Sequence, residues 1–333
     1  MAHRALRPLT WGNARRPPLR VEHCLFELSR STGIGGMNQS HPFSGLAAAT
    51  GLSQLTGIIS RAGCAILAID RTKVAWRTKP DRSPVSAADE AANAIIVQGL
   101  SRLLPGVPIV SEEDPHKPLA LGASFVLVDP LDGTREFLAG RDEFTVNIAL
   151  ISRGKPFIGL IAAPALGFVW RGVVGRGAER LRLAAGAAPQ DTTEIASLRA
   201  RGRPSDGFVA MTSRSHFDAK TDAFLKRLPV IAQIPCGSSL KFARIAEGSA
   251  DLYARLGRTC EWDVAAGHAI LAAAGGLLTT SDGGELVYGG VPDFHVPGFV
   301  AWGDASAAAQ FLKHGCAQAC ARPRPGSGQA TIT

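Results

Sequence analysis

The pattern of apolar and polar positions predicts a folded region that opens with two helices and continues with five strands. Apolar residues at helical spacing favour helices near 43–69 and 87–104. Short apolar and β-branched runs that end at turn residues predict the strands. The five runs lie near 107–111, 124–129, 144–152, 157–163 and 168–174. Residues 176–206, which are rich in Gly, Ala and Arg, are interpreted as a variable connection.

The second half of the chain alternates strands and helices. Strands are expected at 208–212, 230–234 and 251–254, and helices at 217–228, 238–248 and 264–274. This periodicity indicates a mixed α+β or α/β fold, and 333 residues are enough to bury a large core. We predict two lobes, an N-terminal α+β lobe over 37–195 and a C-terminal α/β lobe over 205–315.

Most of the formal charge lies at the two ends of the sequence. Of the net charge of +8, residues 1–36 carry +4 and the residues after Asp304 carry +3, which leaves about +1 for the body. A basic nucleic-acid-binding face on the folded part is therefore not supported. Residues 1–36 are interpreted as a disordered leader or the product of a mis-assigned start, with a transit peptide less favoured. Residues 322–333, rich in Pro and Gly, are predicted to form a loose tail.

Cysteine usage and hydropathy favour a cytoplasmic location. The cysteines are scattered without the paired spacing of a zinc site, so we expect reduced thiols. The six positions are Cys24, Cys64, Cys236, Cys260, Cys316 and Cys320. No apolar run approaches the length that a transmembrane helix needs.

Two carboxylates follow one another around a sharp turn at the end of a predicted strand. The apolar run 124–128 leads directly into Asp129, and Asp132 and Gly133 follow three and four residues later. The two acids would repel each other at the mouth of a core strand, where desolvation makes charge costly. A divalent cation would make this arrangement favourable, and the carbonyl of Leu131 could add a third hard oxygen ligand suited to Mg²⁺. The alternative is an ordinary Asp-rich turn.

Three other segments supply further candidate acids. Glu112 follows the run 107–110 and could turn inward to a metal, although a solvated acidic loop is the simpler interpretation. Asp263 precedes a helix of small residues and could cap it while keeping one oxygen free for a metal. Asp89 lies three residues after Ser86, which is the spacing of a capping box, so a pure capping role is the alternative for Asp89.

Together these segments resemble the inositol monophosphatase superfamily of Mg²⁺-dependent, lithium-sensitive phosphatases. The resemblance is carried by four motifs in the same order, and it covers roughly residues 37–304. The motifs are Ser83 to Asp89, Glu112-Glu113, Asp129-Pro130-Leu131-Asp132-Gly133-Thr134 and Trp262 to Gly267. The resemblance implies a layered αβαβα sandwich with the site between the two lobes.

Further segments resemble the bacterial 3'(2'),5'-bisphosphate nucleotidases. Four segments carry this closer resemblance: Thr134 to Phe137, Glu143 to Leu150, Ser213 to His216 and Gly237 to Phe242. It implies removal of the 3'-phosphate from adenosine 3',5'-bisphosphate, a by-product of sulfate assimilation, to give AMP. A bisphosphate carries a second anionic group, which needs donors away from the metals. Those donors are expected from Arg214, Ser238, Ser239 and Lys241, although Ser238 could be only a cap and Lys241 only a surface charge.

The resemblance also implies how the site would work. One Mg²⁺ would be held by Glu112, Asp129 and the Leu131 carbonyl, and another by Asp129, Asp132 and Asp263, with two or three ions in all. Thr134, paired with Asp89, would orient and deprotonate the attacking water, so Asp89, Thr134 and Glu112 are the expected catalytic residues. The residues expected to contact substrate are Glu112, Leu131, Asp132, Gly133, Thr134, Arg214, Ser238, Ser239, Lys241 and Asp263.

Other functions stay open at this point. The nearest alternative is an inositol monophosphatase or another small sugar-phosphate phosphatase on the same scaffold. More distant alternatives are a non-catalytic nucleotide-binding protein and a nucleic-acid-binding protein that uses the basic ends. The resemblance adds peripheral association with the cytoplasmic face of the inner membrane as an option, and it leaves the oligomeric state open.

Overall fold

The computed structural model describes residues 43–78, 84–114, 117–118, 120–291 and 293–311. The predicted leader and tail, together with Cys24, Cys316 and Cys320, lie outside the described residues. The described residues all belong to one compact unit. Its helices are α1 (Ala49–Leu67), α2 (Ala87–Leu103), α3 (Thr134–Leu138), α4 (Ala219–Leu225), α5 (Leu240–Ala246) and α6 (Glu261–Ala273).

The strands form two large sheets and two short ribbons. They are β1 (Trp76–Thr78), β2 (Pro84–Ser86), β3 (Ile109–Ser111), β4 (Ser124–Asp132), β5 (Thr145–Ser152), β6 (Lys155–Ala163), β7 (Phe168–Val173), β8 (Gly177–Arg182), β9 (Glu194–Leu198), β10 (Phe208–Ser213), β11 (Val230–Cys236), β12 (Leu252–Arg255), β13 (Thr259–Cys260), β14 (Leu277–Thr280), β15 (His295–Val296) and β16 (Phe299–Trp302). One sheet has the order β3-β4-β5-β6-β7-β8-β9, and the other has the order β11-β10-β12-β16-β14.

Side-chain alternation along the seven-stranded sheet divides the interior into layers. On β4, Val126 and Val128 pack towards α1 and α2, whereas Phe125 and Leu127 join a core shared with α5 and α6. The five-stranded sheet closes that second core, and its far face packs on α4 and on a helical segment at 305–311. The order of layers is therefore helix, sheet, helix, sheet, helix. The predicted αβαβα sandwich is confirmed.

The structure corrects the interpretation of residues 176–206 as a variable connection. This segment contains β8 and β9, which extend the large sheet by antiparallel pairing with β7 and with each other. β9 is an edge strand whose residues are partly or fully exposed, so it lacks the apolar run that marks a core strand. The predicted N-terminal lobe ends at residue 195, inside β9, and the predicted C-terminal lobe starts at 205, shortly before β10. The division into lobes stays a prediction.

Several predicted ends move by a few residues. The helix predicted at 217–228 is the shorter α4, which begins after Asp218 because the Asp218 carboxylate accepts the N–H groups of Lys220 and Thr221. α6 begins at Glu261, so Asp263 is the third residue of the helix and not the residue before it. The first helix is also shorter than predicted, and begins at Ala49.

No helix in the described part of the chain combines the length and apolar character needed to cross a membrane. Within the described ranges, Cys64 and Cys236 are free thiols, in agreement with the expectation of reduced cysteines.

Candidate active site

The turn with two carboxylates lies at the end of β4, inside the sheet and not beyond it. Pairing of β4 with β5 continues to Asp132, with a shift of register between Asp129 and Asp132. The strand is therefore longer than the predicted 124–129, and a bulge forms where Pro130 has no N–H to donate. The Asp129 side chain is only 1% exposed, and its Oδ1 accepts the backbone N–H of Leu131 at 3.1 Å. The bulge thus turns two carboxylates towards one end of the sheet.

Glu112 reaches the same place because β3 runs parallel to β4. The register pairs Ser111 with Val128, and the backbone N–H of Glu112 donates to the Val128 carbonyl at 3.0 Å. Glu112, which directly follows β3, therefore lies level with Asp129 of β4. The prediction that Glu112 turns inward is consistent with this register, whereas the solvated loop is not.

Glu112, Asp129 and Asp263 form a carboxylate cluster. Each offers one oxygen atom, and these oxygens all lie within 4.8 Å of one another. Burial raises the pKa of Asp263 above its usual range, and the nearby charge of Asp132 raises it further. Such an array is unfavourable on its own, and a bound cation would relieve both the burial and the mutual repulsion. The donor set consists of carboxylate oxygens, which fits a hard divalent ion.

Asp263 has partners on its own helix end. One of its oxygens, Oδ2, accepts the backbone N–H of Cys260 at 3.1 Å and the hydroxyl of Thr259. Cys260 is the N-cap of α6, so the interpretation of Asp263 as the N-cap is wrong. As the third helical residue, Asp263 instead accepts the N–H of Cys260, as the acid of a capping box does. Because Oδ2 takes both of these bonds, capping fixes the direction in which the carboxylate points.

Asp89 combines the two roles that the sequence left open. Its Oδ2 accepts the backbone N–H of Ser86 at 2.7 Å and the Ser86 hydroxyl at 2.8 Å, and Ser86 caps α2. Its Oδ1 lies 3.0 Å from the hydroxyl oxygen of Thr134, 45 residues further along the chain. The predicted capping box is confirmed, and the predicted pairing with Thr134 is present in the same carboxylate.

Gly133 and Thr134 make the transition from β4 to α3. Gly133 adopts φ of 91°, in the left-handed region that favours glycine, and it caps a helix whose first residue is Thr134. A Cβ at this position would lie 3.3 Å from the Cβ of Ser238, so the second sheet approaches closely here. Gly133 and Thr134 therefore line the space between the two sheets, and the N–H groups of the first helical turn have no acceptor within the helix.

That space is a cavity of about 360 Å³, within the range typical of small-molecule sites. It contains the carboxylate cluster at one side. Among the predicted site residues, those lining it are Glu112, Asp129, Leu131, Asp132, Gly133, Thr134, Ser238, Ser239, Lys241 and Asp263. The structure thus brings together all of the predicted metal ligands.

Ser239 contacts a predicted metal ligand directly. Its hydroxyl lies 2.7 Å from Asp132 Oδ2 and accepts the side-chain amide of Asn147 at 2.9 Å. Asn147 and Thr145 belong to β5 and also approach Asp132, at 3.5 Å each. These two β5 residues were not expected at the site. A polar residue inside an otherwise apolar strand is the signal that could have identified them.

The two cations predicted to bind substrate are engaged with protein groups. The Lys241 ammonium donates to the carbonyls of Cys236, at 3.2 Å, and Ser238, and the side chain is only 2% exposed. Arg214 forms a two-pronged ion pair with Glu143 and does not line the cavity. Both residues hold the turn at 236–238, whose Ser238 has φ of 44°. Their direct contact with a substrate stays a prediction.

His216 and Arg255 line the cavity although the sequence did not identify them as site residues. Burial, followed by the positive charges of Arg255 and Arg135, lowers the pKa of His216 to about 4, so its ring is neutral at pH 7. His268 lies outside the cavity lining, and its Nδ1 is 3.0 Å from the Tyr288 hydroxyl, in agreement with a packing role.

The sequence profile of the inositol monophosphatase family matches residues 47–317. The chain belongs to the inositol monophosphatase family. Members of this family depend on metal ions, which agrees with the carboxylate cluster. The family resemblance predicted from the four motifs is confirmed.

Curated relatives within this family are nucleotidases. The chain is 41% identical over 253 residues to the 3'(2'),5'-bisphosphate nucleotidase CysQ of Escherichia coli, covering 74% of this chain and 98% of that protein. It is 30% identical to CysQ of Haemophilus influenzae, covering 77% and 93% of the two chains.

Solved structures with the same fold include CysQ from Bacteroides thetaiotaomicron, at a TM-score of 0.64 and 31% identity over 76% of this chain and 97% of that one. An inositol monophosphatase from Thermotoga maritima aligns at a TM-score of 0.61 with 21% identity, over 78% and 96% of the two chains. The latter likeness concerns the fold alone.

Proposed function

We propose that this protein is a Mg²⁺-dependent 3'(2'),5'-bisphosphate nucleotidase that converts adenosine 3',5'-bisphosphate to AMP and phosphate. The observation that supports it best is the carboxylate cluster beside the Asp89–Thr134 pair, in a cavity of nucleotide-compatible size. The substrate is suggested by the nucleotidase relatives, which reach 41% identity over almost the whole relative. The cytoplasm is the proposed location.

Mg²⁺ fits a donor set made of carboxylate and carbonyl oxygens. Under this proposal Glu112, Asp129 and the Leu131 carbonyl hold one ion, and Asp129, Asp132 and Asp263 hold another, with two or three ions in all. Bound ions would supply Lewis acidity, which lowers the pKa of a water and neutralises charge on the leaving 3'-oxygen. Glu112 is catalytic in this sense.

The Asp89–Thr134 pair provides the proton acceptor. The Ser86 N–H and hydroxyl fix the Asp89 carboxylate, and Asp89 Oδ1 takes the Thr134 hydroxyl proton as its hydrogen-bond partner. The lone pairs of the Thr134 oxygen are then directed towards an attacking water. The water proton passes to Thr134 Oγ1 as the Thr134 proton passes to Asp89, so the attacking oxygen gains its negative charge without a buried free proton.

The phosphate that reacts lies at the start of α3 in this proposal. Gly133 and Thr134 line the cavity, and the N–H groups at a helix start favour an anion. Ser238 adds a hydroxyl from the opposite sheet, and Lys241 adds positive charge and holds the turn that carries Ser238. Arg214 acts on the same turn through Glu143 and the Pro235 carbonyl.

A phosphate-release assay on purified protein tests the proposal. Adenosine 3',5'-bisphosphate, inositol 1-phosphate and fructose 1,6-bisphosphate would be compared with Mg²⁺, with excess chelator and with Mg²⁺ plus Li⁺. We expect the nucleotide to be preferred by at least about tenfold in kcat/KM, with no turnover in chelator and inhibition by Li⁺. Preference for inositol phosphate would support the monophosphatase alternative, and turnover in chelator would contradict the metal assignment.

A further inference from the structure

A single ammonium group holds the turn that carries Glu112. The Lys117 Nζ atom donates to the carbonyl of Glu112 at 3.0 Å, to that of Asp114 at 2.8 Å and to that of Ser111. An ammonium has three protons to donate, so the number of these carbonyls equals the number of its donors. Glu112 lines the cavity, whereas Lys117 does not. Lys117 therefore supports this side of the site from outside the cavity.

The turn needs such support because it begins where the pairing of β3 ends. Ser111 is the last residue of β3 that pairs with β4, and the N–H of Glu112 makes one further bond to the Val128 carbonyl. The turn is then closed by the Asp114 N–H, which donates to the Ser111 carbonyl at 3.2 Å. Carbonyls at a strand end need donors that the sheet does not supply. The Lys117 ammonium is such a donor for three of them.

The same ammonium also contacts α6. It lies over the ring of Trp262, 4.9 Å from the ring centroid, which is the geometry of a cation–π contact. Trp262 is buried and directly precedes Asp263, and its ring also packs on Phe294 at 5.9 Å between centroids. Lys117 therefore connects the turn of Glu112 with the helix start that carries Asp263.

The close spacing of the carboxylates makes this connection relevant to a metal ion. The cluster oxygens of Glu112, Asp129 and Asp263 lie within 4.8 Å of one another. Asp129 accepts the N–H of Leu131 and Asp263 accepts the N–H of Cys260, and these bonds fix both carboxylates. Glu112 lies on a turn, so the place of its carboxylate depends on how firmly that turn is held. Because a metal site must hold its ligands to within about 0.5 Å, a loose turn would weaken binding.

The charge of Lys117 has the opposite effect on a metal ion. A cation beside the Glu112 turn repels a divalent ion, so removal of this charge alone would strengthen metal binding. Loss of the three backbone bonds and of the Trp262 contact would weaken metal binding. The sign of the change in metal affinity therefore distinguishes a positioning role from a purely electrostatic one.

We propose that Lys117 is a positioning residue of the metal site, which fixes the Glu112 turn against Trp262 and so raises the affinity of the carboxylate cluster for a divalent cation. The proposal rests on the proposed function, because it concerns the metal ions which that function requires. It does not depend on which phosphate ester is the substrate.

Metal binding without substrate provides the test. The metal-free full chain would be titrated calorimetrically with Mn²⁺, which takes the same oxygen ligands as Mg²⁺. The proteins compared would be the wild type, Lys117→Met, Lys117→Arg and the control Lys155→Met, since Lys155 pairs with Glu285 at the surface. We expect Lys117→Met to raise the Kd for Mn²⁺ by about tenfold to a hundredfold. Arginine can donate to the carbonyls and stack on Trp262, so Lys117→Arg should recover most of the affinity, and Lys155→Met should match the wild type.

A kinetic measurement separates positioning from a general loss of structure. The concentration of Mg²⁺ that gives half of the maximal activity should rise in Lys117→Met by a factor similar to that of the Kd, whereas kcat at saturating Mg²⁺ should approach the wild-type value. Melting temperatures in chelator show whether the variants are folded. If Lys117→Met does not fold, Lys117→Gln takes its place, because its amide still donates to the turn, and an intermediate loss of affinity is expected.

An unchanged or lowered Kd in Lys117→Met would overturn the proposal, because it would show that Lys117 acts on the metal through its charge or not at all. A kcat that stays low at saturating Mg²⁺, with unchanged affinity for Mn²⁺, would also overturn it. A wild type that binds Mn²⁺ but leaves adenosine 3',5'-bisphosphate uncleaved would instead contradict the proposed function, and the Mn²⁺ affinities would still decide the role of Lys117.

Discussion

At the scale of single residues, the hydrogen bond of 3.0 Å between Asp89 and Thr134 makes a specific kinetic prediction. Asp89→Asn should lower kcat by about a hundredfold to ten-thousandfold, because the amide cannot accept the Thr134 proton. KM should change little, because the residue acts on the water and not on the substrate. Thr134→Ala should cause a similar loss, and the double variant should be no worse than the single ones.

Steady-state kinetics of the three variants would give their kcat and KM, and melting temperatures would show whether each variant is folded. Because Asn can still accept from the Ser86 N–H, the cap of α2 is retained in Asp89→Asn. Losses that multiply in the double variant would show that the two residues act independently and would contradict the proton path.

The residue scale also shows where sequence reasoning succeeds. The predicted ligands Glu112 and Asp129 could be found because each acid comes at or just after the end of an apolar run. A carboxylate at the end of a buried strand is costly unless a cation or a cap compensates its charge. The partners of Lys241 could not be predicted, because the carbonyls of Cys236 and Ser238 become acceptors only through the φ of 44° at Ser238. Arg255 ends a short strand that lacks a motif, so its place in the cavity follows from strand order and not from local sequence.

At the scale of elements, α6 lies close to β6 because Gly159 has no side chain. A Cβ at this position would lie 2.3 Å from the Ala266 carbonyl oxygen and 2.8 Å from the Ala269 Cβ. Gly159→Ala should therefore push α6 away from the sheet, with a loss of about 1–3 kcal/mol in the free energy of unfolding. Because α6 carries Asp263, activity should fall as well, although Gly159 itself does not line the cavity.

Chemical denaturation and Mg²⁺ titration of activity would measure the two effects together. Gly45→Ala is a matched control, since a Cβ there has nothing within 4 Å. If Gly159→Ala lost stability but kept the Mg²⁺ dependence of the wild type, the position of α6 would not govern the metal ligand.

Helices and strands also differ in how clearly the pattern of apolar residues predicts them. The core strands β4 to β7 were predicted because apolar residues dominate them, with few polar interruptions such as Asn147 and Arg171. β8 and the edge strand β9 were missed because their sequences mix Arg, Glu and Gly with few apolar residues. Backbone pairing places both strands in the sheet without an apolar run. The start of α6 was placed late because Glu261 and Trp262 look like loop residues until both are buried.

At the scale of the whole molecule, His268 should make stability depend on pH. Burial, partly offset by the charge of Glu285, lowers its pKa from 6.5 to about 4. The unfolded chain therefore binds a proton between these values while the folded protein does not. Above about pH 6.5, His268 is neutral in both states and the free energy of unfolding keeps its full value. As pH falls towards 4, only the unfolded chain takes up the proton, and the free energy of unfolding has dropped by about 1–2 kcal/mol at pH 5.

His268→Gln should remove this part of the pH dependence and keep a partner for the Tyr288 hydroxyl. Urea unfolding at pH 5, 6 and 7.5 would measure it, and the two proteins should differ most in slope between pH 6.5 and 5. The carboxylates and His216 titrate in both proteins, so their contributions to the pH dependence of the free energy of unfolding cancel in the comparison. Parallel curves would show that the pKa of His268 is the same in the folded and unfolded states, and would contradict the lowered pKa.

The position of α6 between the two sheets has a further consequence for dynamics. α6 packs on β5, β6 and β7 from one side and on α5 and β14 from the other, and it supplies Asp263 to a cluster whose other acids come from β3 and β4. An ion held by this cluster would stabilise the folded state over any state in which α6 detaches. Millimolar Mg²⁺ should then slow amide hydrogen exchange in residues 264–273 far more than in α1, and Asp263→Asn should abolish the difference. The same ion would therefore support catalysis and also slow the detachment of α6 from the two sheets.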